Sequence, residues 1–458
     1  MLTLYNSLTN SKQLFKPIHK GQASIYSCGP TVYDHVHIGN LRAFIVDDLL
    51  VRVLRVVENL EVNWVMNITD IDDKMINRMH HSGDATDPML ALGELADKFT
   101  DVFIDDIEKV GIRRADISKL PRATDHIDDM QALIKKLLAE NIAYISQGSI
   151  YFGLKNYIAS GKKYGQLINV DYDAQSRVID DQDQKEGVGD FALWKAQKPN
   201  EPAWDFEWQG QHLPGRPGWH IECSAMSTKY LGQPFDIHTG GVDLKFPHHE
   251  NEIAQCGGEQ ANYYLHNEFL NISGTKMSKS LGNITRLATM PNPLAFRLAV
   301  LQAHYRSQMS FSSQSLQSAT ERLNNLRVYV DNLSLSPFDL AKSDTSGATK
   351  QFLHDFNHAL EDDLNTPLAL AAFAHIEGKV YTQETLKAVV YADSVLGLEL
   401  VSSEPLSQTE ADLIDQYSKS RAAKEFDHSD ALRVELKDRF SIVVADSSQG
   451  TLVSRLHN

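Results

Sequence analysis

Between Ile38 and Val57 the apolar residues Leu41, Phe44, Ile45, Leu49, Val53 and Val56 recur at helical spacing and predict one amphipathic helix. Ahead of it, Gln22–Cys28 carries the β-type residues Ile25 and Tyr26 and runs into the Gly29–Pro30 breaker, which reads as a strand entering a turn. After it, Glu61–Ile68 reads as a second strand, closed by the acidic stretch Thr69–Asp73. Strand, glycine-containing turn, helix and strand make a βαβ opening, and open parallel sheets bind ligands at the carboxyl ends of their strands. Cys28 and Thr69 fall at that edge.

Further along, Met1–Phe15 reads as a strand entering the domain, with no signal peptide, and Asp87–Glu140 as helical. From Tyr144 to Leu213 the character changes. Short β-like pieces (Ser149–Leu154), a polar stretch (Asp171–Gly189) and Trp194, Trp204 and Trp208 predict an inserted module. Phe235–His238 resumes a strand, Gly240–Gly241 makes a turn and His248–Cys256 begins a helix. Asn292 to Leu400 is mostly helical around a polar linker at Ser336–Thr349, Ser407–Arg439 is a charged helical segment, and Ile442–Ala445 is a short final strand. There is no internal repeat.

Composition narrows the classes. At 458 residues the chain is roughly three times the ~150-residue guide for one domain, which predicts two to four domains. Its 44 basic and 60 acidic residues give a net charge of −16, which excludes attachment to nucleic acid by bulk charge but leaves room for a local basic surface. Three cysteines, Cys28, Cys223 and Cys256, are too few and too scattered for a disulfide scaffold. The apolar stretch Leu41–Val57 is broken by Arg42, Asp47, Asp48, Arg52 and Arg55, so it does not span a membrane. A soluble, cytoplasmic, multidomain protein is expected.

Three constellations carry chemistry. In Pro30–Asn40 (PTVYDHVHIGN), His35 and His37 stand where a strand gives way to a helix and Gly39 permits close backbone approach. Helix N-termini bind phosphate, and an imidazole there can stabilise charge on a phosphoryl group; the same histidines can also serve as a cap and a core contact. Lys276–Ser280 (KMSKS) sets two lysines among small hydroxyl residues, a cationic loop able to clamp pyrophosphate. Cys28, Cys223 in GWHIECSAM, and His248 and Glu252 in FPHHENEIA offer two thiols, an imidazole and a carboxylate, all zinc ligand types. His248 and Glu252 lie four apart, on one helix face. Inert buried thiols are the alternative, and His249 and Cys256 are rival ligands.

The pairing of the His37–Gly39 motif with KMSKS resembles the double signature of class I aminoacyl-tRNA synthetases. GPTVYDHVHIGN, NITDIDDK, DFALWK, GRPGWHIECSAMS, FDIHTGGVDLKFPHHENEIAQ and KMSKSLGN resemble the cysteinyl-tRNA synthetase family, over nearly the whole chain. The resemblance implies an α/β fold: a Rossmann-type parallel-sheet catalytic domain (1–115 with 215–265), an inserted connective domain (116–214), a stem-contact region with the KMSKS loop (266–310), a helical bundle (311–400) and a small C-terminal anticodon-binding domain (401–458). It implies ligation of L-cysteine to tRNA(Cys), with ATP and Mg2+ as co-substrate, by a monomer.

The resemblance also implies one Zn2+ on Cys28, Cys223, His248 and Glu252, selecting thiol over hydroxyl. Shape alone separates such similar substrates only about 10–200-fold, and no segment resembles an editing domain. Four protein ligands leave two ways to admit substrate: a fifth coordination position, or a Glu252 that yields. By the same resemblance, Pro30, His35, His37, Gly39 and Asn40 bind ATP, and Lys276 and Lys279 hold its triphosphate. Thr69 and Trp219 line the cysteine pocket, with His238 near the substrate. Arg421, Asp430 and Asp446 contact the anticodon, although Phe426 and Leu452 stand where tryptophans are common. Two rivals share parts of this pattern. A mycothiol-pathway cysteine ligase ends before any anticodon domain, and an inactive RNA-binding paralogue is opposed by intact His37, Lys276 and Lys279.

Overall fold

The structure, a computed structural model, describes residues 1–81, 87–168, 187, 189–272, 275–276, 285–337, 341, 343–401, 405–447 and 450–457. Its centre is a four-stranded sheet of β1 (Gln22–Ser27), β2 (Glu61–Met66), β3 (Phe235–Gly241) and β4 (Ala261–Asn267), in the spatial order β4-β3-β1-β2 and parallel throughout. Ile25, Tyr26, Trp64, Val65 and Ile237 are fully buried, the near-continuous apolar character of a parallel sheet covered on both faces. The predicted βαβ opening is present: α1 (Ile38–Arg52) joins β1 to β2 and relaxes into a wider turn over Val53–Val57.

Helix α1 starts at a capping box. His37 Nδ1 accepts from the Asn40 amide and Asn40 Oδ1 accepts from the His37 amide, both at 3.2 Å. Its polar positions Arg42, Asp47 and Asp48 do not face solvent. Arg42 is buried and donates to the carbonyls of Phe269 and Ser307, each at 2.6 Å, while Asp48 is buried against Arg297 of α4 (Pro293–Leu301) at 2.5 Å. The helix is wedged between the sheet and the helical region, so its charges are internal clamps.

Asp87–Glu140 is not helical throughout. Helices Pro88–Lys109 and Ile127–Ala139 flank an extended passage, in which Lys119 and Pro121 accept hydrogen bonds from Met66 and Ile68 at 3.1 and 2.8 Å. The passage covers the outer edge of β2, whose backbone groups would otherwise lack partners. Hydrophobic periodicity carries no signal for such edge cover.

Between β2 and α2 (Trp219–Leu231) lies an antiparallel sheet of Ala143–Ser146, Ser149–Phe152, Phe191–Ala196 and Gly215–Pro217, with Trp194 and Phe206 buried on it. Lys195 and Arg216 reach from this sheet to Asp73, just past β2. Beyond α4 the chain is helical through α5 (Ser313–Ser334), α6 (Ala348–Glu361) and α7 (Gln383–Leu396). The charged segment Ser407–Arg439 is two helices, α8 (Gln408–Ala423) and α9 (Phe426–Phe440), because Lys424 turns into the left-handed region at φ 63°. The final strand has a partner: β5 (Ile442–Ser447) pairs antiparallel with β6 (Gly450–Arg455). Among the described residues no helix is long and apolar enough to cross a membrane.

Candidate active site and metal centre

At the carboxyl end of β1, Gly29 passes beneath the Asn67 carbonyl so closely that a Cβ would lie 1.7 Å from that oxygen. Only glycine fits, and the passage sets Cys28 against α2 and α3 (Glu250–Gln255). The Cys28 and Cys223 sulfurs are 3.9 Å apart. Glu252 Oε1 lies 3.9 Å from the Cys28 sulfur and 3.2 Å from His248 Nε2. One donor atom from each of Cys28, Cys223, His248 and Glu252 lies within 4.8 Å of all the others. The expected four residues therefore converge, and the four-residue spacing of His248 and Glu252 works as predicted although a wider turn, Lys245–His249, precedes α3.

A second set, Cys28, His238, His249 and Glu252, meets the same criterion, so the rival His249 is present at the centre. Its Nε2 lies 3.4 Å from the Cys28 sulfur and its Nδ1 2.9 Å from His266 Nε2. Cys256 belongs to neither set; burial pushes its thiol up to about 12. Glu252 divides its oxygens. Oε2 accepts from Gln260 at 2.8 Å and faces His238 Nε2 at 3.0 Å, which leaves Oε1 toward the sulfurs.

The electrostatics match a cation site. Burial drives the Cys28 thiol well above its ordinary range. At Cys223 the hydrogen bond from Cys28 pulls down, but burial beside Glu252 outweighs it and the net direction is up. Burial holds His248 and His249 well below the ordinary imidazole range, as neutral rings with lone pairs available. Among the described residues no lysine or arginine pairs with Glu252. Two thiols, a carboxylate and neutral imidazoles, gathered in the interior without a cation, fit a metal ion.

Cys28 also lines a cavity of about 650 Å³, together with Pro30, His35, His37, Gly39, Asn40 and Trp219. Trp219 stacks on the His248 ring with centroids 4.2 Å apart, which joins the cavity wall to the donor cluster. Because His37 Nδ1 accepts from Asn40, the neutral ring carries its proton on Nε2. Thr69 and His238 are buried instead of lining the cavity. The Thr69 hydroxyl donates to Glu222 at 3.1 Å and accepts from Asn67 at 3.1 Å; His238 Nδ1 faces the Tyr26 carbonyl at 3.1 Å. Lys276 is described only as backbone, paired with Asn271, and Lys279 lies outside the described residues. The chain just beyond KMSKS returns to α1: the Thr285 carbonyl accepts from the Ile38 amide at 3.1 Å, and Arg286 pairs with Asp34 at 3.2 Å.

In the C-terminal unit Arg421 pairs with Asp446 and lies over the Phe426 ring, 5.1 Å from its centroid. Asp430 is exposed on α9 and reached by Arg433 at 3.4 Å.

The model for the catalytic domain of class I (C) tRNA synthetases matches residues 14–321. The chain is 39% identical over 480 residues to the cysteine--tRNA ligase of Caldicellulosiruptor saccharolyticus, covering 99% of this chain and 100% of that protein. The chain belongs to the cysteine--tRNA ligase family. The cysteine--tRNA ligase of Thermococcus gammatolerans is 38% identical over 493 residues, covering 99% of each. Among solved structures, Mycobacterium tuberculosis methionyl-tRNA synthetase with methionyl-adenylate aligns at a TM-score of 0.54 and 16% identity, over 83% of this chain and 89% of that one. A LeuRS-tRNA-LeuAMS ternary complex from Agrobacterium radiobacter K84 aligns at 0.54 and 11% identity, over 84% and 83%. These two likenesses concern the fold.

Several residues at this family member's site have no role assigned by the sequence alone. Asn67 Oδ1 accepts from the Gly29 amide at 2.9 Å and lies 3.7 Å from the Cys223 sulfur. Glu222 is buried with Oε1 unpartnered, and burial among Asp72 and Asp70 raises its carboxyl well above the usual range. Lys74 and Arg286 bring cations to the cavity. Asn67 and Lys74 stand in NITDIDDK, and adjacency to Thr69 was the one available signal.

Proposed function

We propose that this chain activates L-cysteine with ATP and transfers the cysteinyl group to the 3′ end of tRNA(Cys). The observation that carries the reading is Cys28: one residue both lines the cavity beside His37 and Asn40 and belongs to the cluster of four metal donors. The proposed ligands of a zinc ion are Cys28, Cys223, His248 and Glu252, with His249 and His238 behind them. When bound there, zinc supplies a position that a thiolate fills far better than a hydroxyl.

The chain's own groups do the rest. Trp219 walls the side of the cavity next to His248. The His37 Nε2–H points its proton toward anionic oxygen, and the first turn of α1 favours negative charge. As the cysteine carboxylate attacks the α-phosphorus, a carboxylate–phosphorus bond forms and the bond to pyrophosphate breaks. His37, Asn40, Lys276 and Lys279 hold the phosphoryl oxygens during that step, so catalysis is positioning and charge stabilisation without a covalent enzyme intermediate. The terminal ribose hydroxyl of tRNA then attacks the activated carbonyl and AMP leaves. Magnesium accompanies ATP.

The same reading assigns the split catalytic domain to 1–115 with 215–265, the connective insert to 116–214, the stem-contact region to 266–310, the bundle to 311–400 and the anticodon unit to 401–458. It places the protein in the cytoplasm as a monomer, which sedimentation checks. The decisive experiment combines elemental analysis, cysteine-dependent ATP–pyrophosphate exchange and charging of a tRNA(Cys) transcript. Stoichiometric zinc, exchange and charging are expected. Exchange without charging would point to a ligase with another cysteine acceptor, and no exchange would overturn the reading.

A further inference from the structure

Two side chains link the candidate base contacts of the C-terminal unit. Tyr417, one turn before Arg421 on α8, is wholly buried as a ring among Ile414, Leu432 and Leu436. Its hydroxyl donates to Asp446 Oδ1 at 3.2 Å and accepts from Arg433 Nη2 at 2.7 Å. Arg433 in turn reaches Asp430 Oδ1 at 3.4 Å, and Arg421 holds the other oxygen of Asp446. Arg421, Asp446, Tyr417, Arg433 and Asp430 thus form one continuous chain of contacts across α8, α9 and β5.

We propose that Tyr417 and Arg433 are positioning residues of a face that reads an unpaired RNA base, setting the spacing of Asp430, Asp446 and Arg421. The inference rests on the reading of this unit as the anticodon domain and adds the residues that make it selective. Asp430 and Asp446 have side chains 64% and 43% exposed. Exposed carboxylates repel a phosphate backbone unless cations hold them. Held by Arg433 and Arg421, they become fixed acceptors for the N–H groups on a base edge, while the aromatic face of Phe426, 54% exposed and backed by Arg421, can stack a splayed base. The Tyr417 hydroxyl adds nothing to the packing of its ring, and Arg433 keeps both contacts at the expense of a buried, unpartnered Nε.

The test uses the full chain and the ratio of kcat/KM for a tRNA(Cys) transcript to that for a transcript with one altered anticodon base. ATP–pyrophosphate exchange by the same preparations normalises for folded enzyme. Tyr417→Phe keeps the ring and deletes the link, and should lower the ratio about tenfold, the effect of losing one hydrogen bond to a charged group. Arg433→Met, at a half-exposed side chain, should do the same and stands in should Tyr417→Phe fold poorly; Arg433→Lys should restore part of the ratio. A fall in rate on both transcripts alike, with the ratio intact, overturns the proposal. If Arg421→Met lowers the ratio while Tyr417→Phe and Arg433→Met do not, the base-reading face stands and the positioning role falls. If Arg421→Met also leaves the ratio intact, the reading of this unit fails and takes the proposal with it.

Discussion

Cys28 and Cys223 show how far single residues could be read from the sequence. Their chemical types, with His248 and Glu252, indicated a donor set, and the fold brings all four together. Spacing gave no hint of the buried partners of Thr69 and His238, Glu222 and the Tyr26 carbonyl, because these come from other elements. If zinc sits on Cys28, Cys223, His248 and Glu252 as proposed, and not on the second set that lacks Cys223, Cys223→Ser should remove it, since Cys256 lies outside both donor groups. Elemental analysis of purified protein checks this, and full metal content in the variant would refute the ligand assignment. Lys279→Ala should slow cysteine-dependent exchange about 100-fold, the effect typical of removing one charge-stabilising donor, with metal content unchanged.

For the elements, the helical period of Leu41–Val56 predicted α1 correctly, but Arg42, Asp47 and Asp48 were legible only as charges that exclude a membrane span, not as buried groups. They are buried because the helix is packed on two sides, and periodicity reports only the apolar stripe. Arg297 shows what such burial means for stability. It donates to Asp48, to the Leu396 carbonyl at 2.6 Å and to the Val110 carbonyl at 3.1 Å. Arg297→Met leaves Asp48 paired with Arg52 at 2.7 Å but strips the Leu396 and Val110 carbonyls of a charged donor, and should destabilise by about 2–3 kcal/mol in chemical denaturation. A different device starts α6. Asp344 accepts from the Ser346 hydroxyl and amide and from the Thr349 amide, and these bonds, led by the hydroxyl, hold its carboxyl at about 2. Because that value is lower than in the unfolded chain, the stabilisation is present above about pH 4 and fades as pH falls toward 2. Asp344→Ala should therefore cost about 1 kcal/mol at neutral pH, and the gap between variant and parent melting curves should close in strong acid.

At the level of the whole molecule, the change of composition after Tyr144 marked where the antiparallel sheet of Ala143–Ser146, Ser149–Phe152, Phe191–Ala196 and Gly215–Pro217 is found. The closing hairpin had no such mark: β6 shows too little alternation to announce itself, and only its pairing with β5 makes it a strand. The C-terminal unit has its own small core around Tyr417, Leu432, Leu436 and Val453, separate from the large one. It is tied to α5 through Asp331, which accepts from the Arg455 amide at 2.9 Å and pairs with His457 at 2.7 Å. A small core has little apolar burial to resist opening, so amides of α8, α9 and β5 should exchange with deuterium at lower denaturant than those of β1 and β3; equal protection would contradict the separation. The donor cluster has a consequence for how the protein is made. Cys28 and Cys223 stand 195 positions apart, and a ribosome adding about 5–20 residues per second needs roughly 10–40 s to get from one to the other. Over that interval the first sulfur has emerged with no partner to share an ion, exposed to oxidants and stray metals alike. A zinc ion held as proposed would find its full donor set only once Glu252 has cleared the exit tunnel, late in the birth of the catalytic unit.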